Sequence, residues 1–137
     1  MAEMDAVAFA KTIYLGDRAC KSLLIDGWND EARAQVDCIS RVRGETWNFY
    51  TAEDIEDGFI VFENVKSVVL DPPGPLPDDY IDGLFVAETA NDQAKYLFSF
   101  MAAATDASGR STTVTVRTKA GSIALEDPKR PGDRVRL

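Results

Sequence analysis

The chain has 137 residues, 45% of them hydrophobic, and a formal net charge of −8, a balance that suits one globular domain and is too apolar for disorder. It contains no histidine, which excludes Ser-His-Asp and Cys-His catalysis within the chain and removes the commonest transition-metal ligand. The acidic excess disfavours nucleic-acid phosphates, whose affinity comes largely from Lys and Arg, and favours basic partners.

No apolar run approaches the ~20 residues of a membrane span. The start, Met1-Ala2-Glu3-Met4-Asp5, is acidic where a secretory signal would be positive. The expectation is therefore one globular domain over 1–137 in the cytoplasm, with no membrane contact. Charge is uneven. Residues 128–137 hold Lys129, Arg130, Arg134 and Arg136 against Asp133, a net of +3, leaving −11 for the rest. This basic tail can fold back on the acidic body or fray.

Met4, Val7, Ala8 and Lys11 lie at helical spacing, so Met4–Tyr14 reads as a short helix, or its end as an extended lead-in, broken by Gly16-Asp17. Lys21–Asp26, with Leu23-Leu24-Ile25, reads as a strand, and Gly27-Trp28-Asn29-Asp30 as a turn. After it, Ala32, Ala34, Val36, Cys38, Ser40 and Val42 alternate with Arg33, Gln35, Asp37, Ile39, Arg41 and Arg43. Period two predicts a strand with those sets on opposite faces; Ala32, Val36 and Ile39 also fit a helix.

Trp47-Asn48-Phe49-Tyr50 reads as a short strand, and Thr51–Asp57 as a polar turn or one helical turn with Thr51 as N-cap, ended by Gly58. Phe59–Phe62 is a strand, Glu63-Asn64 a turn and Val65–Leu70 another strand. Proline cannot donate to a ladder, so Asp71-Pro72-Pro73-Gly74-Pro75-Leu76-Pro77 must leave the sheet. Pro77 can open a helical turn through Tyr80 and Ile81.

Leu84–Glu88, Tyr96–Met101 and Thr112–Lys119 complete the strands, separated by Asn91-Asp92 and Ala107-Ser108-Gly109. A two-residue loop at Ala120-Gly121 would pair Thr118 with Ile123 and Val116 with Leu125, on one face with Val114. The predicted fold is mainly β (or α+β): an antiparallel sheet of about eight short strands curled into a sandwich or partial barrel, with one or two short helices.

Cys20 and Cys38 are equidistant from Asn29 and would face each other in an unbulged hairpin. Opposed Cβ atoms lie about 4.5–5.5 Å apart, slightly beyond typical disulfide geometry, so two buried thiols are expected in a reducing compartment, with a strained bridge as the alternative. Two thiolates without histidine fall short of a metal set.

No G-x-G-x-x-G, P-loop or G-x-S-x-G motif is present. The acids Asp78, Asp79 and Asp82 around Tyr80, and Glu53, Asp54, Glu56 and Asp57, read first as solvated loops and second as an acid–base pair. The expectation is no catalytic residue, cofactor or metal. Large aromatics usually fill cores, but Trp28 sits in a turn, where an exposed indole beside acids suits protein recognition.

Residues 47–65 (WNFYTAEDIEDGFIVFENV), 71–81 (DPPGPLPDDYI) and the ending Leu125-Glu126-Asp127-Pro128 resemble an uncharacterised family of small bacterial β-rich proteins. Proteins of this general kind are similar in size and charge to immunity proteins of bacterial toxin systems. The resemblance supplies no established catalytic residues to carry over and so implies nothing about activity.

The leading expectation is a non-enzymatic binding domain, immunity-like, that occludes a basic protein partner through an acidic and aromatic surface. Its contact candidates are Trp28, Asp54, Asp57, Asp78, Asp79 and Tyr80. The alternatives are a small-molecule-binding β-barrel with a cavity lined by Phe59, Val61, Phe98 and Phe100, and a carboxylate-dependent enzyme. The oligomeric state is open at this level.

Overall fold

The computed structural model describes residues 6–15, 18–41, 55–89 and 95–135. The fold is mainly β and antiparallel. One short helix, α1 (Ala6–Lys11), precedes strands β1 (Ile13–Tyr14), β2 (Arg18–Asp26), β3 (Glu31–Val36), β4 (Cys38–Arg41), β5 (Ile55–Glu56) and β6 (Phe59–Glu63). There follow β7 (Ser67–Asp71), β8 (Tyr80–Glu88), β9 (Tyr96–Thr105), β10 (Ser111–Ala120), β11 (Ser122–Glu126) and β12 (Arg134–Val135). They form a three-stranded sheet, β1-β4-β5, and a nine-stranded sheet in the order β12-β11-β6-β3-β2-β8-β9-β10-β7. Among the described residues, the end strands β12 and β7 do not pair with each other, so the sheet does not close into a barrel. None of the described helices is long and apolar enough to cross a membrane.

The larger sheet folds back on itself because β2 serves two partners. Arg18 and Ala19 pair with β8, whereas Ser22–Asp26 pair with β3, and a bulge between Cys20 and Ser22 re-aims the strand. A second corner brings the halves together. The chain crosses from β6 to β7 at Asn64, which has φ 54°, a left-handed conformation that asparagine tolerates. Alongside, it crosses from β10 to β11 at Gly121, whose N–H donates to the Glu63 carbonyl at 2.9 Å. Phe62 of β6 and Phe98 of β9 then meet across the sandwich with ring centroids 5.2 Å apart.

This crossing corrects the expected last hairpin. Thr118, Val116, Ile123 and Leu125 are all buried, as the alternation predicts. Yet β10 pairs with β9 and β7, while β11 pairs with β6 and β12. Ala120-Gly121 is a corner between the two halves and not a reversal.

The first hairpin forms with Asp26 opposite Glu31. Ala32, Ala34 and Val36 are buried as expected, but the alternation stops at Asp37, which separates β3 from β4; Ile39 and Ser40 are then both buried. There the chain leaves β2 for the smaller sheet, held by the Asp37 carboxylate accepting the Ala19 N–H at 3.0 Å. The β2 bulge also places Cys20 opposite Val36 and not Cys38. Neither cysteine is in a disulfide; Cys20 is buried as expected, whereas Cys38 is only half-buried, and burial pushes the Cys20 thiol up to about 11.

Helix α1 buries Ala6, Phe9 and Ala10, a different face from the predicted Met4, Val7, Ala8 and Lys11. The expected helical turn after Pro77 is instead the start of β8, because its backbone is claimed on both sides. The Asp79 carbonyl accepts the Cys20 N–H at 2.8 Å, and the Asp78 N–H donates to the Ala103 carbonyl at 3.2 Å. The expected strand at residues 47–50, the N-cap at Thr51 and the break at 91–92 lie outside the described residues.

Thr118 is only 1% exposed, between Phe98 and Val68 on the inward face, and its hydroxyl has no hydrogen-bond partner among the described residues. Replacing a buried unsatisfied hydroxyl by a methyl of the same shape is stabilising by about 1–2 kcal/mol. Thr118→Val should therefore raise the Tm by roughly 3–6 °C. A lower Tm on thermal denaturation would show that the hydroxyl is satisfied.

Candidate functional site

The β2–β3 hairpin overhangs the core, and its tip is built to hold one shape. The Asp26 carboxylate accepts the Asn29 side-chain amide at 2.8 Å and the Asn29 N–H at 3.1 Å. Those bonds, the side-chain amide first, hold Asp26 below the usual carboxylate range. The Asp30 carbonyl accepts the Val65 N–H at 2.8 Å, tying the tip to the β6–β7 crossing.

On this pinned turn Trp28 is 95% exposed, and Leu24 and Ile25 are more than half exposed behind it. Beside them an open groove of about 300 Å3 runs between the hairpin and the start of β7, lined by Ile25, Val65 and Val68 with Asp26, Asp30 and Lys66 at its rim. The sequence expectation that a turn tryptophan stays out of the core therefore holds.

The remaining contact candidates lie elsewhere. Asp57 has φ 53° and pairs with the Lys21 ammonium at 2.6 Å, both about half exposed. Asp78, Asp79 and Tyr80 are exposed at the start of β8, where the Asp79 carboxylate accepts the Tyr80 N–H at 2.8 Å. Lys21 and the Cys20–Asp79 bond place this group at the beginning of β2. The strand runs on from Cys20 to Asp26, six positions or roughly 20 Å, and Trp28 lies in the turn beyond it. Asp57, Asp78, Asp79 and Tyr80 thus share one end of the molecule, and Trp28 stands at the other. Asp54 lies outside the described residues.

The four proposed cavity residues do not face one space. Phe98 and Phe100 point into the core. Phe59 and Val61 alternate with the core residues Ile60 and Phe62 and so face the other side of β6, where Arg33 stacks 5.1 Å from the Phe59 ring centroid.

That outer side carries a cluster that the sequence reading missed. Across β3, β6 and β11 run three rows: Glu31, Glu63 and Ser122; Arg33, Val61 and Ala124; Gln35, Phe59 and Glu126. Arg134 of β12, opposite Glu126, reaches back over the middle row. Its guanidinium donates to Glu126 Oε1 at 3.0 Å, to Glu63 Oε2 at 2.6 Å and to both Glu31 oxygens at 2.6 and 2.9 Å. Arg33 donates to Glu126 Oε2 at 2.9 Å, and Ser122 to Glu63 Oε1 at 3.1 Å. The basic tail thus folds back on the body through the β11–β12 ladder and the Arg134 side chain.

The hydrogen bond from Arg134 holds Glu31 below the usual glutamate range. Burial pushes Glu126 up, but the bonds and charges of Arg134 and Arg33 outweigh it and leave Glu126 lowered too. Carboxylates held ionised in this way are poor proton donors. A hint was available in the sequence: glutamates on outward strand positions (Glu31, Glu63, Glu126) alongside an excess of arginine in the tail. Their convergence needed the strand order.

Among the described residues, no group of three or more Cys, Asp or Glu side chains is placed to hold a metal ion. Residues 4–137 match the family described as "Family of unknown function (DUF6258)". No curated protein and no solved structure matches the chain.

Proposed function

We propose that this chain, which belongs to that family of unknown function, is a non-enzymatic protein-binding domain that engages a basic partner through its β2–β3 tip and acts by occlusion, in the manner of an immunity protein. The observation that carries this reading is Trp28, fully presented on a turn that is already ordered before any partner arrives. Tryptophan is the residue type most enriched at binding hot spots, and preorganisation removes part of the ordering cost of association. Asp26 and Asp30 at the tip, and the overall charge of −8, favour a partner surface rich in Lys and Arg and speed its encounter at low salt. Asp57, Asp78 and Asp79, at the far end of β2, contribute to this long-range field and not to the contact.

Trp28→Ala should weaken the complex by about 2 kcal/mol or more, roughly 30-fold in Kd, with an unchanged Tm. The measurement is calorimetric titration against a basic partner recovered by affinity capture on the wild-type chain. Asp26 caps the turn and is left intact; Asp30→Asn should lower the on-rate at low salt only. Wild-type affinity in Trp28→Ala would dismiss the tip as the contact. Turnover of a substrate by the purified chain would dismiss the non-enzymatic reading.

A further inference from the structure

The outward face of β8, β9, β10 and β7 is an exposed four-stranded surface that meets the groove beside the tip at Ser67, and its register arranges charge in a particular order. The middle row is Phe85, Ser99, Arg117 and Val69. Phe85 and Val69 are 59% and 50% exposed there, and Arg117 is tied to Asp71 at 3.2 Å. Two residues along the strands on one side lies the row Asp82, Met101, Thr115 and Asp71; on the other lies Ala87, Leu97, Lys119 and Ser67. The first row is acidic at both of its ends, and the second carries Lys119.

A bulge at Gly83, with φ 60°, keeps Phe85 in this outward phase. The Phe85 ring closes over Gly83: a Cβ built on the glycine would lie 2.7 Å from it.

From this arrangement we infer that the face is self-complementary and that its occupant is a second copy of this chain. A two-fold axis running across the strands at the Phe85 row exchanges the acidic row with the basic one. It lays Met101 over the second copy's Leu97, sets Phe85 against its own counterpart, and brings Lys119 one strand away from the second copy's Asp71. Isologous contact of this kind is the commonest form of homo-oligomer.

Large side chains on this face neighbour small ones, with Phe85 beside Ser99 and Tyr80 beside Ala103 and Thr113 around a shallow groove of about 270 Å3, so two copies can interdigitate. Strands about 4.8 Å apart and about 3.3 Å per residue give a face of roughly 400 Å2. Two of them fall just short of the ~1,000 Å2 of a stable interface, and the net charge of each copy opposes association. The dimer is therefore weak, with a Kd in the micromolar range.

Sedimentation velocity across the micromolar range tests this. The wild type should shift from monomer to dimer with concentration. Asp71→Lys alone sets a second ammonium against Lys119 of the other copy, and Lys119→Glu alone sets a second carboxylate against Asp71. Each should raise the dimer Kd at least tenfold. An equal mixture of the two single variants should associate, because both inter-copy contacts are then opposite in charge. Trp28→Ala should dimerise as the wild type does, which separates this face from the binding tip. A wild type that stays monomeric, single variants that dimerise unchanged, or a mixture that fails to associate would each overturn the assignment.

Discussion

Arg134→Met is expected to lower the stability of the fold by about 3 kcal/mol, the lower end of the cost of removing one partner from a buried ion pair, and the Tm by roughly 10 °C. The lower end applies because the side chains of the cluster are 6–23% exposed and keep some hydration. The loss comes less from the vanished attraction than from what remains. Glu31, Glu63 and Glu126 would stay close to one another over Val61 and Ala124, with Arg33 still bonded to Glu126 and Glu31 but the shared guanidinium gone.

Methionine keeps most of the aliphatic volume, so the experiment isolates charge. Urea denaturation of wild type and variant measures the difference. Adding Glu63→Gln to Arg134→Met should recover part of it by removing one of the three crowded negative charges. A double variant no more stable than Arg134→Met would mean that the guanidinium acts by packing alone.

The second large effect is the acid response of the same cluster. Glu31 and Glu126 titrate lower in the folded chain than the ordinary 4.5. Their contribution is fully present above that unfolded value and is lost as the pH falls through the folded values. The wild type should therefore hold its stability from neutral pH to about 5 and lose it below about 4.5. The slope approaches 1.4 kcal/mol per pH unit for each carboxylate while both titrate.

Arg134→Met reverses the sign. Without the guanidinium, burial and mutual repulsion raise the carboxylate values, so acidification relieves the variant before it harms it. The stability difference between the two proteins should shrink between pH 7 and pH 5. Urea midpoints across that range decide the matter: a constant difference would mean that the cluster does not titrate as a unit with Arg134.

These effects concern a network whose members come from four strands, with Arg134 and Glu31 separated by 103 positions. Its invisibility in the sequence and the visibility of other features have one explanation. Alternation along a strand is local: it is fixed by which side chains the pleat sends to each face. Thus Ala32, Ala34 and Val36 were legible as inward residues, as were Val114, Val116 and Thr118, and all six are buried. Trp28 was legible in the same way, since a four-residue reversal gives its apex nothing to pack against.

Pairing is not local. The corner at Gly121 and the reversal expected there have the same inward residues, and only contact with Glu63 and β6 distinguishes them. The bulge in β2 is likewise set by competition between β3 and β8 for one strand, and it separates Cys20 from Cys38. Composition and period two by themselves determined a β-rich antiparallel fold, the faces of its strands and the exposed tryptophan, because each depends on near neighbours. The strand order, the crossing between the halves, the arginine clasp and the charge order on the open face were decided only in three dimensions, because each joins residues that the chain keeps far apart.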